Sequence, residues 1–109
     1  MKVAFLPKVQ DYLDNLVPLL YKKGYFGFEE FAVRYVDDLI DDIIANLPTR
    51  PYKPATEYFD RYGKGMSYAT FSKNKRTSWY VFFVTQQIEN EKIYLVRYVA
   101  NNHTVAQYL

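Results

Sequence analysis

The chain of 109 residues has the length of one domain, and its 50% hydrophobic and 24% charged residues exclude intrinsic disorder. With no Cys and a single His, a disulfide framework, a cysteine nucleophile, a thiolate metal site and any centre built on two imidazoles are excluded. The formal charge of +2 hides an asymmetry, because residues 1–50 carry six Lys/Arg against eight Asp/Glu while residues 51–109 carry eight against four.

Lys2-Val3-Ala4-Phe5-Leu6 reads as a short strand closed by Pro7. Its apolar run is too short for a signal peptide, and no stretch approaches the ~18 apolar residues of a membrane span. The expectation is a cytoplasmic chain without a membrane partner. From Lys8 to residue 22 the spacing of Val9, Tyr12, Leu13, Leu16, Val17 and Leu20 predicts a helix with one apolar face. Pro18 lies inside that pattern and should kink the helix or shorten its last turn. Gly24 and Gly27 bracket a turn. A second helix over 28–47 follows from the stripe Phe28, Phe31, Ala32, Tyr35, Val36, Leu39, Ile40, Ile43 and Leu47, and Pro48 ends it. Joined by a short link, the two should form an antiparallel hairpin.

Residues 48–56 hold Pro48, Pro51 and Pro54 and read as irregular, with a helical turn near Glu57–Arg61. After Gly65 the β-branched and aromatic stretches Met66–Phe71, Thr77–Thr85 and Lys92–Val99 read as three strands. Ser72-Lys73-Asn74-Lys75-Arg76 and Glu89-Asn90-Glu91 suit hairpin turns between them. The expected fold is α+β in one domain over 1–109: an N-terminal strand and a helical hairpin packed on an antiparallel meander.

Within 61–76 stand five bases (Arg61, Lys64, Lys73, Lys75 and Arg76) and no acid, interleaved with Tyr62, Tyr68 and Phe71. Cations beside rings suit a phosphate backbone with unstacked bases, although the same cluster serves equally to solubilise an exposed hairpin. Trp79 alternates with Val81 and Phe83, while Tyr80, Phe82 and Val84 take the other side, so both faces of this strand should be covered. Trp79 is then core, the floor of a groove, or a stacking platform for a base. Asp37-Asp38 and Asp41-Asp42 lie opposite the apolar stripe of their helix, near Arg34, and read as a solvated face or a docking strip for a basic partner.

The element order and the ending Tyr98-Val99-Ala100-Asn101-Asn102-His103 up to Tyr108-Leu109 resemble the RelE/ParE toxin superfamily, closest to its RelE-like branch. In that family the last strand commonly runs into a Gly-His-Arg or Gly-Lys-Arg turn and reaches a Tyr a few residues later. Here Ala100-Asn101-Asn102-His103 and Tyr108 occupy that place. The resemblance implies a ribosome-dependent messenger-RNA endonuclease, neutralised by a cognate antitoxin protein. Cleavage would run by 2′-hydroxyl attack on the adjacent phosphate, with no cofactor and no metal. It places Lys73, Arg76, His103 and Tyr108 in the catalytic set, with Lys64, Lys75 and Trp79 as RNA contacts. The family's middle-strand Arg falls on Trp79, and its basic residue after the last strand falls on Asn101-Asn102. Arg76 would then reach the phosphate from three residues earlier. Two alternatives stay open: a ParE-like inhibitor of DNA gyrase, and a binding module of the same fold without catalysis.

Overall fold

The computed structural model describes all 109 residues. It is an α+β domain with a five-stranded mixed sheet. In chain order come β1 (Lys2–Phe5), α1 (Pro7–Lys22), α2 (Glu29–Asn46), β2 (Tyr52–Pro54), β3 (Ser67–Ser72), β4 (Ser78–Ile88), β5 (Glu91–Asn101) and the short α3 (Asn102–Val105). Tight 3₁₀ turns occupy Leu47–Thr49, Glu57–Tyr62 and Ala106–Tyr108.

The two helices start and stop where the sequence signals them. Pro7 at the first helical position has the φ a helix needs, and its missing N–H would have had no partner there. Pro18 does not shorten α1, which continues to Lys22. Its ring is solvent-exposed, so the carbonyl of Asp14 that Pro18 leaves without its helical donor can be hydrated. Glu29 and Glu30 fill the first turn of α2, where negative charge meets the positive end of the helix dipole. Val9, Leu13 and Leu16 of α1 and Ala32, Val36, Leu39 and Ile43 of α2 are buried, as the 3.6-residue period requires.

The strands are ordered β1-β5-β4-β3-β2 across the sheet. The β3-β4-β5 meander is antiparallel, but β1 pairs parallel to β5, so the sheet is mixed and not purely antiparallel. The connection from β1 to its neighbour passes through the rest of the chain, and only the tertiary fold sets its direction. A further correction is β2, a three-residue edge strand in the segment read as irregular. Tyr52, Lys53 and Pro54 pair with Ala69, Tyr68 and Ser67 of β3. The prolines there are tolerated because an edge strand has one unpaired side.

Both faces of the sheet are covered. Under α1 and α2 lies the main core, with Trp79, Val81 and Phe83 of β4 meeting Leu13, Leu39 and Ile43. On the opposite face, Phe82, Met66 and Ala100 pack against Phe59 from the 57–62 turn and Val105 from α3. Partners shift between Phe82↔Tyr98 and Phe83↔Val96, leaving Arg97 as an extra residue in β5. This bulge reverses the alternation, so Val96 and Val99 both face the helices while Tyr98 and Ala100 face away.

Candidate functional site

A groove of about 660 Å³ opens between the helical hairpin, the β3–β4 turn and the start of the C-terminal segment. Three chain-remote regions build it. Tyr12 comes from α1, Tyr25 and Phe26 from the turn between the helices, and Tyr35 from α2. The β3–β4 turn contributes Lys73 and Asn74, and the end of β5 with α3 contributes Asn101 and His103. Lys23 adds a second ammonium, and no Asp or Glu lines the groove. An aromatic cleft edged by ammonium groups, amides, hydroxyls and one imidazole, with no carboxylate, favours a ligand with flat rings and negative charge.

Trp79 forms the floor. Only 1% of its surface is exposed, and its indole N–H donates to the Tyr35 hydroxyl at 2.9 Å. A buried ring with its one donor engaged is structural, so Trp79 shapes the groove and does not offer a face to a base. Tyr35 is in turn flanked by Phe26, with ring centroids 5.5 Å apart. Tyr25, 67% exposed, is the ring most open to a ligand.

The basic turn is held by its own amides and by the C-terminal segment. Asn74 Oδ1 accepts from the backbone N–H groups of Arg76 and Thr77 at 2.8 and 2.9 Å, folding 73–77 on itself. Asn102 then staples this turn to the end of β5. Its Oδ1 accepts from Ser78 N–H at 3.0 Å, and its Nδ2 donates to the Arg76 carbonyl at 3.1 Å. Asn101 caps α3 by accepting from His103 N–H at 2.9 Å, which sets where the imidazole begins. The Asn pair that stands where the resemblance led one to expect a base therefore has a structural task.

The seven residues singled out in the sequence divide. Lys73 and His103 line the groove with Trp79 beneath them. Arg76 is tied to the same end of the domain through its carbonyl, but its exposed side chain, like that of Lys75, stays outside the lining. Tyr108 does not join them. Its ring stacks on Tyr58 at 3.7 Å with the planes 1° apart, in the cluster on the far face of the sheet. The physical reason is that the C-terminal segment crosses the sheet end between His103 and Val105, so a Tyr five residues beyond His103 lands on the other side. Lys64 is also remote, in the exposed Gly63-Lys64-Gly65 turn.

Several groove residues escaped the sequence reading. Tyr12 and Tyr35 fit the helical stripes and were indistinguishable from core, and Tyr25 and Phe26 stood between two turn glycines with no periodicity. Two aromatic residues in a Gly-bracketed turn were the one available signal. No group of three or more His, Cys, Asp or Glu stands together in a metal-binding arrangement, and no helix is long and apolar enough to cross a membrane. Comparison with protein-family models, curated proteins and solved structures finds no match to this chain.

Proposed function

We propose that the groove binds single-stranded RNA and that the chain acts as a RelE-like, metal-independent endoribonuclease on ribosome-bound messenger RNA, held in check by an antitoxin partner. One observation carries this reading: Lys73 and His103, from segments 30 residues apart, meet in an aromatic groove without a carboxylate. Unstacked bases would lie against Tyr25 and Tyr12, and the phosphates would face Lys73 and Lys23. In 2′-hydroxyl attack on the adjacent phosphate, the RNA supplies the nucleophile. The O2′–P bond forms, the P–O5′ bond breaks, and the products are a 2′,3′-cyclic phosphate and a 5′-hydroxyl. The proton lost by the 2′-oxygen is balanced by the one the 5′-oxygen gains. The protein's part is to move a proton and to neutralise charge developing on the phosphate. His103 takes the first role and Lys73 the second.

Binding without cleavage is the second reading, favoured by the placement of Arg76 and Tyr108 outside the groove. The test separates the two. Fluorescence anisotropy with a labelled single-stranded RNA should show weaker binding for Lys73→Ala and near-normal binding for His103→Ala. Single-turnover cleavage of ribosome-bound message by His103→Ala should fall by about 10²–10⁴-fold, the range for loss of a general acid or base. Binding with no cleavage by the unmodified chain selects the binding module. RNA affinity indifferent to Lys73 and Tyr25 rejects the groove altogether.

A further inference from the structure

At the tip of the helical hairpin the apolar stripe of α2 outruns the core. Phe28 and Phe31 continue the helical spacing of the buried Val36, Leu39 and Ile43, yet they are 63% and 42% exposed and join neither buried cluster. Their rings meet edge to face, 5.7 Å apart between centroids, and the Arg34 guanidinium lies 5.8 Å from the Phe31 ring. Tyr21 in the last turn of α1 and Tyr25 in the link between the helices add two more rings, 43% and 67% exposed. Four large aromatic side chains therefore stand in water at one end of the hairpin, and apolar surface gathered in this way marks a contact surface.

The charges around these rings are balanced and unused. Lys22 and Lys23 stand at the end of α1, and Glu29 and Glu30 open α2. All four are exposed, and none forms an ion pair within the chain, because the one salt bridge joins Arg50 to Asp42. The short link places the lysines on one side of the aromatic patch and the glutamates on the other. A polyanion or an anionic lipid surface would meet the two carboxylates together with the two ammonium groups, so the patch is poorly matched to either.

We propose that the hairpin tip is a self-association surface whose partner is a second copy of this chain. A two-fold axis running between α1 and α2 sets each copy's Lys22 and Lys23 against the other's Glu29 and Glu30, with ring against ring at the centre. A patch with opposite charges on its two sides is complementary to itself under that operation and to no surface of single sign. With about 150–250 Å² carried by a full aromatic side chain, four half-exposed rings offer about 300–550 Å² per copy. That is below the ~800 Å² per partner of a standard stable interface even with a polar rim added, so the dimer is weak and reversible.

Sedimentation velocity on the full chain, over protein concentrations from about 1 to 500 µM, tests the proposal, with a dissociation constant on the order of 10–100 µM expected. Phe28→Ser should weaken association about tenfold or more, as loss of a central aromatic anchor does. Because Phe28 joins no buried cluster, circular dichroism should be unchanged in this variant. Reversing the lysines (Lys22→Glu with Lys23→Glu) or the glutamates (Glu29→Lys with Glu30→Lys) should also abolish self-association. An equimolar mixture of the two reversed proteins should recover it as a heterodimer, which a merely structural effect of the substitutions would not produce. A monomer at every concentration would overturn the proposal. A dimer indifferent to Phe28→Ser and to both charge reversals would overturn it as well, and so would a monomer in solution that cosediments with anionic vesicles through the same residues. None of these outcomes depends on whether the groove binds RNA.

Discussion

Asn102 shows how one side chain joins two distant segments. It accepts from Ser78 N–H and donates to the Arg76 carbonyl, so both ends of its amide are engaged with the β3–β4 turn. Replacing it with Ala leaves a partly buried N–H and a carbonyl without partners, a loss of about 1–3 kcal/mol in stability. Asn102→Asp keeps the acceptor and loses the donor, so its loss should be smaller. Urea unfolding checks the magnitude, and faster hydrogen exchange at Ser78 in Asn102→Ala checks the mechanism. A change of similar size in Lys75→Ala, whose exposed side chain makes no hydrogen bond, would show that the staple is not the cause. His103 relies on its neighbour in the same way, because Asn101 caps the turn of helix that carries it.

At the scale of elements, β5 and the 57–62 turn lock together through rings. Tyr62 stacks on Tyr98 at 3.8 Å, and Phe59 fills the space beside Phe82 at 4.3 Å between centroids. Burial, reinforced by the neighbouring Tyr62 phenol, raises the Tyr98 hydroxyl well above its ordinary value, and burial raises Tyr12 as well. The consequence is an alkaline instability. Tyr98 in the unfolded chain loses its proton near pH ~10, while in the folded protein it keeps that proton to higher pH. Above pH ~10 the folded state therefore binds more protons than the unfolded state, and stability falls as pH rises. Tyr98→Phe preserves the stacked ring and removes the ionisable group, so its stability should decline less steeply above pH ~10 than that of the unmodified chain. Tyr12 leaves a residual slope in the variant. Guanidinium unfolding at a series of alkaline pH values measures this, and parallel slopes for both proteins would contradict the burial of Tyr98.

For the molecule as a whole, charge and aromatic surface are divided between two ends and two faces. The acidic side of α2, with Asp37, Asp38 and Asp41 exposed, contributes nothing to the groove lining, and Lys23 and Lys73 stand there without opposing carboxylates. Lys75 and Arg76 lie just beyond the rim and are free to reach a longer strand. RNA affinity should therefore fall with salt in proportion to the phosphates met by these four cations. A slope of log affinity on log salt of about −1.5 to −3 is expected for single-stranded RNA, at about −0.7 per phosphate. A slope near zero, measured by anisotropy across a salt series, would mean that stacking alone holds the strand. Lys64→Ala should leave the slope unchanged, because that exposed residue of the Gly63–Gly65 turn is not part of the groove lining.

The amino-acid sequence determined the parts of this protein that depend on local periodicity. Val9 to Leu20 and Phe31 to Ile43 repeat every three to four residues, and Pro7 and Pro48 mark the ends, so both helices were legible within a residue or so. The three long strands were legible from β-branched and aromatic runs, and the double-sided apolar character of Trp79 to Val84 announced a sheet covered on both faces. The tertiary structure alone decided what depends on contacts between distant segments. The parallel pairing of β1 with β5, the edge strand at Tyr52–Pro54 and the bulge at Arg97 are set by neighbours far away in sequence, not by any local signal. The candidate site follows the same division. The basic turn and His103 were visible as residue types, and their meeting in one groove depended on Asn102 and on the crossing of the C-terminal segment. That crossing also carried Tyr108 to the far face and into a stack on Tyr58, because the chain must pass around the end of the sheet to bury Val105 and Leu109 there. Periodicity reports which face of an element is apolar, and only the packing of elements against one another determines which faces meet.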